Sequence, residues 1–228
     1  MRLKALIFDV DGTLMETEEA HRRAFNDTFR EAGIDWHWTR DDYAWLLKTT
    51  GGKERMKTYR AHKRSGPTDA RIAILHRTKT EKYGEIIASG LFPLRPGVAD
   101  LIDRARAAGL KVAVATTTNR PNVDVLARAA WGCPAEDIFD VIAAGDEYAM
   151  KKPAPDVFKL ALDRLDLPAH ACVAFEDSEN GLRSARAAGL RTIVTPSAYT
   201  AADDFSDADD VLPDLTYWTL PTLTSAET

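Results

Sequence analysis

Cysteine is scarce in this chain. There are two in 228 residues, Cys133 and Cys172, with no CxxC pair and no Cys/His metal spacing. This excludes a disulfide framework and predicts two buried, small apolar side chains in a reducing compartment. Long hydrophobic runs are also missing: no apolar stretch approaches the roughly 20 residues of a membrane helix. Residues 1–4 lead straight into an apolar strand pattern without a leader or cleavage site, so the expected location is cytoplasmic, with no membrane partner. A third absence is local. Between about residues 16 and 93 every strand signal disappears.

The composition that remains, 45% hydrophobic and 29% charged, is that of a globular chain with room for one α/β core and a smaller satellite. Short apolar runs at 3–8, 112–115, 141–144, 173–175 and 192–194 read as buried strands. Helical patterns at 97–108, 121–130, 154–165 and 180–188 separate most of them. Alternation of this kind calls for a parallel sheet covered on both faces, because parallel strands need crossover connections. The expected fold is α/β, a three-layer Rossmannoid sheet of five strands or slightly more. Gly109 and Gly189, each in an Arg-Ala-Ala-Gly-Leu stretch, sit where a helix should end in a left-handed residue.

The strand-free segment is helical. Ala20, Ala24, Phe25, Phe29 and Ala32 follow one helical face that Gly33 ends, and further helices are expected over 41–48, 53–64 and 69–88. Residues 1–15 and 94–228 are therefore expected to form the α/β core, and 16–93 an inserted α-helical cap. Residues 90–97 read as the return linker, and the Thr-rich 219–228 as a frayed end.

Chemistry gathers at the strand ends, where a parallel sheet places its active site. The first strand ends in Asp9-Val10-Asp11-Gly12-Thr13. Alternation puts Asp9 and Asp11 on one side, and Gly12 allows a sharp turn. Alone, this also fits an ordinary strand-end turn. The second run leads into Thr116-Thr117-Thr118-Asn119, hydroxyls and amides ahead of a helix, which suit either a phosphate or a helix cap. The next leads through Gly145-Asp146-Glu147 to Lys151-Lys152-Pro153, a lysine fit to be aimed at a phosphoryl group or simply solvated. The last delivers Glu176-Asp177-Ser178, acids suited to a hard cation such as Mg²⁺ or to capping a helix. The four together, all at strand ends, point to one site that handles a phosphoryl group.

These four motifs resemble those of the haloacid dehalogenase (HAD) superfamily phosphatases, and the helical insert resembles that superfamily's type-one cap. The resemblance implies that Asp9 forms an aspartyl-phosphate and that Asp11 acts as general acid and then base. It implies Mg²⁺ held by Asp9, the Asp11 carbonyl and Asp177, with Glu176 orienting waters behind them, and Thr116 and Lys152 stabilising charge on the phosphoryl oxygens. Asp11 separates the chain from true dehalogenases, which lack it.

Net charge is −5, but residues 48–82 carry eleven Lys/Arg against three acids, a segment of +8 that leaves −13 elsewhere. A solvated helix face and a grip on a second anionic group both fit this run. Nucleic acid fits poorly, given the acidic total and the lack of interleaved aromatics. A narrower resemblance, to the CbbY-type sugar-bisphosphate phosphatases, rests on Glu16-Thr-Glu-Glu19, residues 49–55, His76-Arg77-Thr78-Lys79, and Thr116-Thr117-Thr118 with Pro121-Asn122. It implies hydrolysis of xylulose-1,5-bisphosphate at C1 and substrate contacts at Glu18, Gly51, Gly52, Lys53, Glu54, Arg55, His76, Arg77, Thr78, Lys79, Thr116, Thr117, Thr118, Asn119, Arg120, Pro121 and Asn122. A small phosphorylated sugar is the expected partner of a monomeric chain. β-Phosphoglucomutase, which shares fold and cap, and a non-enzymatic binding module remain as rivals.

Overall fold

The structure is a computed structural model, and it describes residues 2–145 and 147–220. After β1 (Ala5–Phe8) come four helices in succession, α1 (Glu18–Glu31), α2 (Arg40–Leu47), α3 (Gly52–Lys63) and α4 (Asp69–Ala88). Strands and helices then alternate: α5 (Val98–Ala107), β2 (Lys111–Ala115), α6 (Arg120–Trp131), a single turn α7 (Ala135–Ile138), β3 (Val141–Ala143), α8 (Asp156–Leu165), β4 (Cys172–Glu176), α9 (Glu179–Ala187), β5 (Arg191–Val194) and β6 (Asp210–Val211). The described strands form one parallel sheet in the order β3-β2-β1-β4-β5-β6. Among the described residues, no helix is long and apolar enough to cross a membrane.

Strand alternation sorts the sheet's side chains into two different faces. Leu6, Phe8, Val112, Val114, Val173 and Phe175 join one cluster, which α5 and α6 cover with Leu101, Ile102 and Leu126. Ala5, Ile7, Ala113, Ala115 and Ala174 join the other, and their small size brings in Phe158 and Leu162 of α8. Phe8 and Phe175 stack at 4.7 Å between centroids, and full burial of one such side chain contributes roughly 1.5–3 kcal/mol. Packing of this kind holds β1 level with its neighbours. Phe8 lies opposite Val114 and Phe175, so Asp9 emerges beside Glu176.

The four consecutive helices have an aromatic core of their own, built from Phe25, Phe29, Trp36, Trp38, Tyr43 and Tyr59 with Met56 and Leu75. Two helices join this unit to the sheet. The first half of α1 and the last turns of α4 place Ala20, Ala24, Tyr83 and Ile87 in the larger sheet-side cluster. The chain crosses between the two regions twice, and the crossings pair with each other through a bridge from Met15 to Leu94.

Six strands agree with an expected sheet of five or slightly more, but the apolar runs did not include β6, a two-residue strand exposed along its length. The first strand begins at Ala5, and α8 begins at Asp156, after a turn, rather than at 154. Gly33, Gly109 and Gly189 end their helices at φ 66°, 73° and 82°. Of the two free cysteines, Cys172 is buried but Cys133 is only half-buried, which corrects the expectation for it. Asp146 and residues 221–228, part of the expected frayed end, lie outside the described residues.

Candidate active site

Asp9 is buried where β1 ends, and its backbone amide donates to Phe175 O on β4 at 3.0 Å. Lys152 Nζ reaches it from the loop before α8, donating to Asp9 Oδ1 and Glu176 Oε1 at 2.6 Å each. Asp9, Glu176 and Asp177 all offer oxygens within 4.8 Å of one another. Three buried carboxylates thus crowd together, and the Lys152 ammonium bonds to two of them, Asp9 and Glu176. Burial pushes the Asp9 carboxyl up to about 8, with Lys152 offsetting only part of the rise and Glu176 adding to it. Burial, then the charges of Asp9 and Glu176, also raise Asp177 well above the usual carboxylate range. Lys152 itself is raised, because the two acids outweigh its burial. This all-oxygen donor set fits a hard divalent cation, which would restore the ionised form that a nucleophilic Asp9 needs.

Two glycines make this packing possible. Gly12 turns the chain at φ 85°, and a Cβ there would overlap the Asp177 carboxylate. Gly181, in the first turn of α9, lies against the Glu176 carboxylate in the same way.

Asp11 sits in different surroundings. Its Oδ1 accepts from Thr17 Oγ1 at 2.5 Å, lies 3.0 Å from His21 Nε2 and accepts from Tyr83 OH at 3.1 Å. His21 stacks on Tyr83 at 3.8 Å, and its Nδ1 lies 2.5 Å from Lys79 Nζ. One arrangement satisfies the chain: Lys79 donates to Nδ1, and Nε2–H donates to Asp11. Burial favours a protonated Asp11, but His21, Thr17 and Lys79 outweigh it and hold the carboxyl well below its usual range. Burial brings Lys79 down to about 7 and also lowers His21, with Lys79 adding to the effect.

Both centres open into one cavity of about 660 Å³ between the sheet's carboxyl edge and the four-helix region. Its lining includes Asp9, Asp11, Glu18, residues 51–55, His76, Arg77, Lys79, residues 116–119, Asn122, Lys152 and Asp177. Arg55 is fixed by donating through Nε to Thr49 O at 3.0 Å and through Nη1 to Tyr43 OH at 3.1 Å, while Tyr43 OH donates to Glu18 Oε2 at 2.7 Å. Across the cleft, Asn180 Nδ2 donates to Lys48 O at 3.2 Å and to Thr50 Oγ1 at 3.4 Å.

Three anticipated contacts do not line the cavity. Thr78 bonds back to Ile74 O on α4, and Arg120 faces Asp124 and Glu136. Pro121 is exposed in the first turn of α6. Helical geometry accounts for this, since neighbours in sequence point to different sides of a helix. Glu176, expected behind the ligands, has its carboxylate within the acid cluster.

The sequence pattern of the haloacid dehalogenase-like hydrolases matches residues 3–189. The chain belongs to this family. It is 65% identical over 215 residues to Protein CbbY of Rhodobacter capsulatus, a match covering 94% of this chain and 95% of that protein. Identity to the plasmid-borne CbbY of Cupriavidus necator is 49% over 220 residues, 93% of this chain and 86% of that one. The crystal structure of CbbY from Rhodobacter sphaeroides in complex with phosphate has a TM-score of 0.92 at 54% identity, over 94% of this chain and 96% of the other. An aspartate-to-asparagine mutant of the same protein, in complex with xylulose-1,5-bisphosphate, gives 0.92 at 53% identity over the same shares. With these relatives, the chain is a CbbY-type phosphatase of the family.

His21, Tyr83, Asn180 and Arg95 were not singled out from the sequence. His21 and Tyr83 lie 10 and 72 residues from Asp11, on helix faces that read as ordinary core. The signal available for His21 was its place four residues before Phe25, beside the apolar face of the helix that follows the Asp9 motif.

Proposed function

We propose that this phosphatase removes the C1 phosphate of xylulose-1,5-bisphosphate with Mg²⁺ and an aspartyl-phosphate on Asp9. The observation that carries the reading is the shared cavity. It has an acid and lysine centre at the sheet edge, and Lys53, Arg55, His76 and Arg77 on its helical side. Such a cavity suits a small sugar with an anionic group at each end. The complex of a 53% identical relative with xylulose-1,5-bisphosphate supports the choice of ligand.

Asp9 and Asp177, with the backbone carbonyl of Asp11, would hold Mg²⁺, and Glu176 stands close enough to join them or to orient its waters. Bound there, the ion supplies positive charge between an anionic nucleophile and an anionic substrate. Lys152 orients Asp9 for in-line attack on phosphorus and carries charge on the phosphoryl oxygens together with Thr116. Thr116 is itself held in place, since its Oγ1 accepts from Thr118 N at 3.1 Å. As the Asp9–phosphorus bond forms, the C1 oxygen leaves and takes its proton from Asp11. In the second half Asp11 takes a proton from the water that cleaves the acyl phosphate. Because Asp11 is an ionised acceptor in this structure, the first half requires it to be loaded. His21, in contact with it and backed by Lys79, is placed to pass that proton.

Residues 16–93 act in this reading as a cap that closes the cavity against water, in a monomeric cytoplasmic enzyme. The test is phosphate release with Mg²⁺ from xylulose-1,5-bisphosphate, phosphoglycolate and β-glucose 1-phosphate. Preferential release from the bisphosphate is expected. Preference for a monophosphate overturns the substrate, and isomerised sugar phosphate without free phosphate overturns the hydrolysis.

A further inference from the structure

The second crossing between the helical region and the sheet carries a buried guanidinium that the chemistry above does not use. Arg95 follows Leu94, which bridges to Met15, and its backbone amide donates to Leu14 O at 2.8 Å. Its side chain is only 9% exposed. Nη1 donates to the carbonyls of Gly12 and Thr195, the latter at 2.6 Å, with Thr195 Oγ1 at 3.2 Å. Nη2 donates to Pro196 O at 2.8 Å, and Nε lies 3.5 Å from Glu16 Oε1 on the first crossing.

One rigid fork thereby ties the turn after β1 to the segment after β5, and both of these reach Asp177. The Gly12 turn packs directly on the Asp177 carboxylate. From the other segment Thr200 Oγ1 lies 2.6 Å from Asp177 O and 3.4 Å from its Oδ2, and Thr200 is in turn held by Ser197, whose amide donates to the same Oγ1 at 2.9 Å. A planar guanidinium can satisfy several carbonyls at fixed separations, whereas an ammonium on a flexible stem cannot hold all of them at once.

We propose that Arg95 is a positioning residue for the cation site: by clamping Gly12 to the 195–196 segment, it sets the place of Asp177 relative to Asp9 and ties that spacing to the crossings of the helical region. This rests on the Mg²⁺ reading given above. Direct partners of metal ligands typically cost roughly 10–100-fold in metal affinity when removed; Arg95 acts one step further back, through the Gly12 turn and the 195–200 segment, which places its effect at the lower end of that range. A role confined to the crossings would instead alter how the helical region closes, and so the substrate KM.

The experiment is Mn²⁺ binding to the metal-free full chain, followed by the loss of the free-ion EPR signal, for wild type, Asp177→Asn, Arg95→Lys and Arg95→Met. Thermal melts verify that each variant is folded. Wild type should bind one equivalent and Asp177→Asn should lose it. Both Arg95 variants should weaken binding by roughly tenfold, and at saturating Mg²⁺ they should lower kcat with KM unchanged. Arg95→Lys keeps the charge and stem, and carries the test if the methionine variant does not fold. Folded Arg95 variants that bind Mn²⁺ like wild type, with KM raised instead, overturn the inference. Wild type and Asp177→Asn binding Mn²⁺ equally overturns the cation reading itself, a separate outcome that takes this inference with it.

Discussion

Asp9 and Asp11 are two residues apart, yet the regions around them have different origins and opposite electrostatics. Among the described residues, the side chains that bond to Asp9 or share its acid cluster come from the carboxyl edge of the sheet: Lys152, Glu176 and Asp177. The side chains that bond to Asp11 come from the helical region or the crossing into it: Thr17, His21 and Tyr83. In the first region burial raises the carboxyls, and the neighbouring acids add to the rise of Asp9 and Asp177. The second surrounds one carboxyl with donors and lowers it. In the proposed mechanism this difference places phosphorus chemistry at the sheet edge and proton chemistry on the helical side.

The largest expected effect tests the sheet side. Asp9→Asn should lower kcat by roughly 10⁴-fold or more, while Asp11→Asn should cost about 10²–10⁴-fold as a lost proton-transfer group. Phosphate release under saturating substrate measures both, and residual turnover in Asp9→Asn equal to that in Asp11→Asn would erase the asymmetry.

A smaller effect concerns stability. The Asp9 carboxyl rises from 3.8 to about 8, so between these values the folded chain keeps a proton that the unfolded chain has released. Stability of the cation-free protein therefore falls as pH rises through that window. Melting in chelator should show a lower Tm at pH 8 than at pH 5, Asp9→Asn should flatten the fall, and Mg²⁺ should raise Tm more at pH 8. For a chain of this length, each 1 kcal/mol is about 2–4 °C. A Tm that rises over the same window contradicts the crowded-acid account.

The mildest substitution probes the contact between the regions. Asn180→Ala removes the amide that reaches Lys48 O and Thr50 Oγ1. At about 1 kcal/mol for a net hydrogen bond, KM should rise roughly fivefold with the chemical step unaffected. A loss confined to kcat would mean that Asn180 serves the reacting groups instead.

The two regions also differ in how far the sequence disclosed them. Asp9, Thr116, Lys152 and Asp177 were legible because each follows a buried apolar run, and strand ends of a parallel sheet converge by rule. The helical region could be recognised as helical but its inward face could not be read in full. Thr78 and Arg120 were carried along with neighbours in a motif, whereas α4 and the start of α6 turn them away from the cavity. His21 and Tyr83 have the spacing of core residues, and only packing α1 on α4 reveals that they converge on Asp11. Arg95 looked like part of a linker. Its carbonyl partners at 12, 195 and 196 are backbone atoms, which no side-chain pattern announces. β6, two exposed residues of which one is Val211, is too short to make an apolar run.

The division of labour between the two aspartates is tested most directly by trifluoroberyllate, which with Mg²⁺ mimics an acyl phosphate on a carboxylate and needs no proton transfer. Its binding can be followed by ¹⁹F NMR in wild type, Asp9→Asn and Asp11→Asn. Wild type and Asp11→Asn should both form the complex, and Asp9→Asn should not. Loss of the complex in Asp11→Asn, or its survival in Asp9→Asn, would contradict the account.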